Sequence, residues 1–202
     1  MFDGFEHDPL RVILIGGPSH AGKSTLAQAV GAKLGWRCVS TDTLARHPGR
    51  PWGHVKDHVA EHYLSLSPDE LIADVLRHYR SMWPGIRSMI STPTDPLILE
   101  GSALWPESVA ELQLHTIGAI WLTASDGFLR KRMYESSRHH DSTARGKVMI
   151  EKFGARNELY NRQMMQALHR LGLPWLDVEQ PSAVEELQND PLRVVKPLAP
   201  RP

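Results

Sequence analysis

Residues 11–25 read RVILIGGPSHAGKST, and this stretch decides the fold of the chain. It begins with a short apolar run, which is typical of a central strand covered on both faces. Residues 17–24 then match the pattern G-x-x-x-x-G-K-[ST] in full. A phosphate-binding loop requires a strand before it and a helix after it. The helix is predicted from Lys23 onward, because apolar residues recur at helical spacing at Leu26, Ala27, Val30 and Leu34.

The motif also predicts how a nucleotide would be held. Gly17 and Gly22 let the backbone turn so that successive N–H groups face one anion, and the helix N-terminus adds unpaired donors. Lys23 is expected to reach the β- and γ-phosphates of ATP, and the Ser24 hydroxyl is expected to bind Mg²⁺. His20 holds a variable position of the motif and is expected to face solvent or the acceptor. The predicted nucleotide-binding residues are Gly17, His20, Ala21, Gly22, Lys23, Ser24 and Thr25.

Further apolar runs follow along the chain and predict more strands. Strands that alternate with helices imply a parallel sheet with right-handed crossovers, and ligands then bind at the carboxyl ends of the strands. The phosphate loop, Asp42 and Glu100 all lie at such ends. The predicted strands are residues 11–17, 36–41, 97–100, 117–123 and 174–178.

Two longer segments interrupt this alternation. Residues 52–92 are predicted to be helical, with a break at Pro84-Gly85, and residues 125–170 are predicted to form an arginine-rich helical region. The tail at residues 191–202 contains four prolines and is expected to be extended or disordered. Residues 1–190 are therefore interpreted as a single domain.

Composition limits the classes of partner. Lys plus Arg and Asp plus Glu number 23 each, so the formal net charge is zero, which argues against generic binding to nucleic acid or to a membrane surface. The N-terminus lacks the pattern of a signal peptide, and no apolar stretch approaches the ~18 residues of a transmembrane helix. A single cysteine, Cys38, fits a reducing compartment and is predicted to lie in the core. We expect a cytoplasmic protein whose oligomeric state, monomer or homodimer, is open.

Other classes of phosphate-loop protein leave signatures that can be searched for. A GTPase needs N-K-x-D and D-x-x-G, and neither string occurs in the sequence. Motor and AAA-type ATPases usually carry an apolar strand that ends in Asp or Asp-Glu, whereas the nearest candidate here ends in a single Glu100. These observations favour a small kinase.

Three stretches carry a resemblance to a known group: residues 16–27, residues 39–42 (VSTD) and residues 97–101 (LILEG). Together they resemble the 2-phosphoglycerate kinase-like branch of the small P-loop kinases, and also gluconate kinase and chloramphenicol phosphotransferase-like proteins, over roughly residues 11–178. The resemblance implies an α/β three-layer sandwich with a five-stranded parallel sheet flanked by helices. It also implies a substrate-binding segment after the second strand, at 52–92, and a mobile lid before the last strand, at 125–145.

Asp42 is the predicted catalytic base, because a carboxylate can orient an acceptor hydroxyl and accept its proton. The same residue could instead cap a helix. Glu100 is predicted to hold Mg²⁺ or substrate. Resemblance to nucleotide kinases also suggests a substrate-binding arginine three residues after the aspartate, whereas Arg46 lies four residues after it. With Arg50 nearby, an anionic acceptor is one option.

Arginines of the lid close over the phosphates in this kinase group, so they are expected to stabilise the group in transfer. Arg132 and Arg138 are the first candidates, followed by Arg130 and Arg145. Three histidines, His54, His58 and His62, recur every four residues in the other helical segment. A metal site is not predicted there, since one straight helix seldom supplies three ligands to one ion.

The sequence thus predicts an ATP- and Mg²⁺-dependent kinase that phosphorylates a hydroxyl of a small molecule. One alternative is a nucleoside or nucleotide kinase, which should have an aromatic slot near residues 52–92. Another is a regulator that hydrolyses or senses ATP and has no acceptor pocket beside Asp42.

Overall fold

A five-stranded parallel sheet forms the centre of the computed structural model, which describes residues 10–44, 47–91, 93–112, 114–195 and 197–198. The strand order is β2-β3-β1-β4-β5, and every neighbouring pair is parallel. The predicted strands are all present, and β1, β2 and β5 are each one residue shorter at both ends. They are β1 (Val12–Gly16), β2 (Arg37–Ser40), β3 (Leu97–Glu100), β4 (Ile117–Thr123) and β5 (Trp175–Asp177).

Helices cover both faces of this sheet, which confirms the predicted three-layer α/β fold. Val12 and Leu14 face a core that contains Ile86 and Met164 from one helical layer. The alternate residues of the same strand, Ile13 among them, face the opposite layer. The helices are α1 (Lys23–Leu34), α2 (Asp57–Ser65), α3 (Pro68–Ser91), α4 (Pro106–Ala110), α5 (Asp126–Ser137), α6 (Ala144–Leu171), α7 (Pro181–Asn189) and α8 (Pro191–Val194).

A third apolar cluster joins α2 and α3, which follow β2, to α5 and α6, which follow β4. Tyr63 of α2 and Leu71 of α3 are fully buried there against Met133 of α5 and Ile150 of α6. This packing brings the segment that follows β2 beside α5 and α6. The cavity described below lies between them.

The predicted break at Pro84-Gly85 is wrong, because α3 continues through Pro84 to Ser91. A proline inside a helix costs about 3 kcal/mol. The turn after it buries Ile86 and Ile90 in the main core, and each such burial contributes about 1.5–3 kcal/mol, which offsets that cost.

The expectation that Cys38 lies in the core is also wrong. β2 is an edge strand, and Cys38 is exposed on it, with its Sγ donating to the carbonyl oxygen of Ala27 at 3.0 Å. The tail also differs from the expectation where it is described, since Pro191 begins the short helix α8 and Pro197 pairs with Gly118 in an isolated antiparallel bridge. No described helix combines the length and the apolar character needed to cross a membrane.

Candidate active site

The phosphate loop connects β1 to α1, and two glycines give it its shape. Gly17 has φ +139° and Gly22 has φ +89°, conformations that favour glycine. A Cβ on Gly17 would lie only 2.6 Å from the carbonyl oxygen of Leu122, so β4 also excludes a side chain there. The backbone amides of residues 22–25 have no hydrogen-bond acceptor within the described ranges. These amides are the unpaired donors of a helix N-terminus, which suit an anion.

Neighbouring elements hold the loop in place. The side chain of Asn157 on α6 accepts a hydrogen bond from the Ser19 amide at 2.9 Å and donates to the Ser19 carbonyl at 3.1 Å. The Ser102 hydroxyl donates to the carbonyl oxygen of Gly17 at 2.9 Å. Asn157 and Ser102 were not singled out from the sequence, because contacts between residues so far apart in the chain have no local signal.

Lys23 and the Ser24–Glu100 pair lie at the base of the loop. Lys23 is buried, and its Nζ donates to the carbonyl oxygen of Pro18 at 2.7 Å. Burial lowers the pKa of Lys23 from 10.5 to about 8, although the negative charges of Glu100 and Asp42 act to raise this pKa. The Ser24 hydroxyl donates to a carboxylate oxygen of Glu100 at 3.1 Å, so two oxygen donors of the kind Mg²⁺ prefers converge there.

Asp42 lies in a short 3₁₀ turn, Thr41–Thr43, directly after β2. Ser40 caps this turn, since its hydroxyl accepts a hydrogen bond from the Asp42 amide at 3.3 Å. The alternative in which Asp42 caps a following helix stays a prediction, because residues 45 and 46 lie outside the described part of the chain. The Asp42 carboxylate faces the same cavity as Lys23 and is among the charges that act on the pKa of Lys23.

A cavity of about 470 Å³ runs from the phosphate loop past Asp42. It brings together residues from the loop, the ends of β2 and β3, the segment after β2, and the helices α3, α5 and α6. Two of the predicted loop residues do not line it. Ala21 is buried, and the carbonyl oxygen of Gly17 accepts a hydrogen bond from the Ser102 hydroxyl. The predicted site residues in its wall are His20, Gly22, Lys23, Ser24, Thr25, Asp42, Glu100 and Arg132.

The predicted arginines divide into three groups. Arg132 lies in the cavity wall, with its Nη1 atom 3.6 Å from the position that a Cβ on Gly22 would take. Arg138 is the C-cap residue that follows α5, and it lines a separate cavity of about 610 Å³. Arg130 forms an ion pair with Glu158. Arg46 lies outside the described residues.

His20 is more enclosed than expected. Its ring packs near Trp52 and Phe153, at centroid distances of 5.9 and 6.2 Å. Neither ring nitrogen is exposed, and neither has a hydrogen-bond partner in the described part of the chain. Burial, with smaller contributions from Arg50 and Lys23, lowers the pKa of His20 to about 4. The imidazole is therefore neutral at physiological pH.

Arg156 is the main cavity residue that the sequence did not reveal. It is buried on α6, donates to the Tyr63 hydroxyl at 3.0 Å and lies over the Phe153 ring at 4.4 Å. Among the described residues, no carboxylate lies within ion-pair distance of its guanidinium. Tyr79, also in the wall, keeps its proton because burial raises its pKa to about 12. Arg156 lies in a long arginine-rich helix, and no spacing distinguishes it from its solvated neighbours.

Comparison with known proteins identifies the fold. No protein-family model and no curated protein sequence matches the chain. A gluconokinase from Sinorhizobium meliloti 1021 is 16% identical, with a TM-score of 0.53 over 92% of this chain and 94% of that one. A deoxyadenosine kinase from M. mycoides, solved with bound dATP, is 15% identical, with a TM-score of 0.51 over 89% and 98%. The chain has the fold of the P-loop small-molecule and nucleoside kinases, and identities this low do not identify a substrate.

Proposed function

We propose that this chain is an ATP-dependent kinase that transfers the γ-phosphoryl group to a hydroxyl of a small anionic metabolite. The observation that carries the proposal is that the phosphate loop and Asp42 share one cavity, and that this cavity continues to Arg156. One end of the cavity has the donors for a triphosphate. The other end has room and charge for an acceptor.

The residues present fit ATP and Mg²⁺. The free amides of residues 22–25 and the Lys23 ammonium suit the phosphates, and Ser24 with Glu100 offers oxygen ligands for the metal. Mg²⁺ bound there would neutralise phosphate charge. Arg132 faces the loop from the lid side and would contribute positive charge to the transferring group.

The proposed reaction is an in-line displacement. The acceptor hydroxyl oxygen forms a bond to the γ-phosphorus, and the bond from that phosphorus to the β,γ-bridging oxygen breaks. The electron pair leaves with ADP. Asp42 orients the hydroxyl and accepts its proton.

Two cations in the cavity wall that lie outside the phosphate loop favour an anionic acceptor. A buried charge without a partner costs several kcal/mol, so the buried guanidinium of Arg156 is suited to a ligand that supplies the opposite charge. Arg50, which lies over the Trp52 ring at 5.7 Å, adds a second cation to the same cavity. A guanidinium can bind a carboxylate or a phosphate in bidentate fashion.

The two alternatives receive less support. A nucleoside acceptor needs an aromatic face for its base. The Phe153 ring in the cavity wall is already covered by Arg156 at 4.4 Å and by the edge contact of Trp52 at 4.9 Å, which leaves Tyr79 of α3 as the other Phe, Tyr or Trp ring among the described residues of that wall. A regulator without an acceptor would not need a cavity that extends beyond Asp42 to Tyr79 and Arg156.

The test is a search for the acceptor. Purified protein is incubated with Mg-ATP and two pooled libraries, one of phosphorylated or carboxylated hydroxy compounds and one of neutral sugars and nucleosides. Mass spectrometry should detect a phosphorylated product in the anionic pool that is absent with Lys23→Met. A product found only in the neutral pool would favour the nucleoside alternative, and ATP hydrolysis without a product in either pool would favour the regulator.

Arg156→Met is expected to raise the KM for the anionic acceptor by about tenfold to 100-fold, because a hydrogen bond to a charged group contributes about 1.5–3 kcal/mol. The KM for ATP should change less, since the described hydrogen bonds from α6 to the phosphate loop come from Asn157 and not from Arg156. Steady-state kinetics with each substrate varied in turn measures both constants. Arg80→Met, which removes an exposed arginine from α3, is the matched control. An equal rise in both KM values would contradict the proposed role.

A further inference from the structure

Three potential metal ligands from three different segments meet beside the cavity. They are His47 from the segment after β2, His62 from α2 and Asp74 from α3, and their ligand atoms all lie within 4.8 Å of one another. The Nε2 atom of His47 is 2.6 Å from Oδ2 of Asp74, and the Nε2 atom of His62 is 3.8 Å from the same oxygen. All three side chains are partly buried. We refer to these three residues as the His47 cluster.

The separations suit a tetrahedral ion. Two ligand atoms on one Zn²⁺ lie roughly 3.3 Å apart when each bond is about 2.0 Å long. The two separations to Asp74 Oδ2 fall on either side of this value. Changes of about 0.5–0.7 Å would bring these two separations to that value, and the ligand nitrogens of His47 and His62 already lie within 4.8 Å of each other.

The surroundings of the cluster also resemble those of a metal site. The second carboxylate oxygen of Asp74 accepts a hydrogen bond from Arg77 at 2.5 Å, which fixes the carboxylate and directs Oδ2 toward the histidines. His78 follows Asp74 by four residues on α3, so both lie on one face of the helix. The His78 ring stacks on His47 at a centroid distance of 4.8 Å.

A simple ion pair between His47 and Asp74 does not account for the whole cluster. The His62 nitrogen is too far from Asp74 for a hydrogen bond, and no other described residue bonds to it. The Nε2 atom of His78 is buried and has no hydrogen-bond partner among the described residues. Such imidazole nitrogens are metal ligands when a cation of suitable class is available.

We propose that the His47 cluster binds a borderline divalent cation of the Zn²⁺ class, with two imidazole nitrogens and one carboxylate oxygen as ligands and with His78 or water in the fourth position. This donor set differs from the all-oxygen pair of Ser24 and Glu100, because imidazole selects zinc-like ions and not Mg²⁺. His47 also lies in the wall of the acceptor cavity, so the bound ion would attach the segment after β2 to α2 and α3. Metal binding at the cluster can be measured whether or not the chain is a kinase.

The test is a titration of the full chain, carrying no histidine tag, with Co²⁺ in excess Mg²⁺ and without nucleotide. Tetrahedral Co²⁺ absorbs visible light strongly, whereas octahedral Co²⁺ absorbs it only weakly. The expected result is an intense spectrum that saturates at one ion per chain and is displaced by Zn²⁺. His62→Gln and Asp74→Asn should each weaken binding by more than tenfold. Zn²⁺ should raise the Tm of the wild type and not that of either variant.

Two controls separate this site from others on the chain. The double variant His54→Gln, His58→Gln removes two exposed histidines outside the cluster, and Glu100→Gln alters the predicted Mg²⁺ site. Both should retain the Co²⁺ spectrum. The proposal is overturned by weak octahedral absorption, by the lack of a saturable site, or by binding that survives in folded His62→Gln and Asp74→Asn.

Discussion

Replacing Lys23 by Met is expected to slow phosphoryl transfer strongly and, at the same time, to make the nucleotide-free protein harder to unfold at neutral pH. Loss of a preorganised cation at the transferring phosphate should reduce kcat by on the order of 10³-fold. The gain in stability follows from burial, because the Lys23 ammonium lies 8% exposed and its pKa falls from 10.5 to about 8.

The pH dependence gives the sign of this effect. Below pH 8 the folded state keeps the buried ammonium charged, so the wild type bears the full desolvation cost. Between pH 8 and 10.5 the folded state loses the proton while the unfolded chain retains it, and wild-type stability rises. The cost is about 3 kcal/mol at most, because one pKa unit corresponds to about 1.4 kcal/mol. The variant also loses the hydrogen bond from Lys23 to the Pro18 carbonyl oxygen, which lowers its stability by about 1 kcal/mol.

Urea unfolding of wild type and Lys23→Met at pH 7 and at pH 10.5, without nucleotide, measures the difference. The variant should be more stable by roughly 1–3 kcal/mol at pH 7, and the advantage should disappear at the higher pH. Lys33→Met removes a lysine that is exposed in the last turn of α1, and it should change stability by less than about 0.5 kcal/mol. A variant that is less stable than the wild type at pH 7 would contradict the argument from burial.

The sheet could be predicted because its three central strands, β1, β3 and β4, are continuous or nearly continuous apolar runs. The register of β1 with β3 and β4 then brings Glu100 and the phosphate loop to one edge, as predicted. Cys38 was misinterpreted because an edge strand and a central strand can have similar composition. The path of α3 through Pro84 depends on tertiary burial of Ile86 and Ile90, which local propensity does not include.

The site could be predicted only where the chemistry lies within one short motif or at a strand end. Lys23, Ser24, Asp42 and Glu100 belong to this class, and they converge on one cavity. Arg156, Asn157 and the His47 cluster depend on helices that pack against distant parts of the chain. The row of histidines at 54, 58 and 62 illustrates the difference. α2 begins only at Asp57, and only His62 joins the cluster, with partners from other segments.

Replacing Asp42 by Asn is expected to lower kcat by about 10²- to 10⁴-fold, the range attributed to a positioned general base. An amide can still orient the acceptor hydroxyl, but it cannot accept the proton as the bond to phosphorus forms. ATP affinity should be almost unchanged, because the loop amides, Lys23 and the Ser24–Glu100 pair are unaltered. The loss should therefore fall on kcat and not on the Kd for ATP.

Single-turnover kinetics with the acceptor, together with nucleotide binding measured by calorimetry, separates these effects. Asp95→Asn makes the same chemical change at an exposed position before β3 and should keep full activity. Full transferase activity in Asp42→Asn would exclude Asp42 as the base while leaving the kinase proposal in place. A parallel loss of ATP affinity would instead indicate that Asp42 acts on the nucleotide through Lys23, since the Asp42 carboxylate raises the pKa of that ammonium.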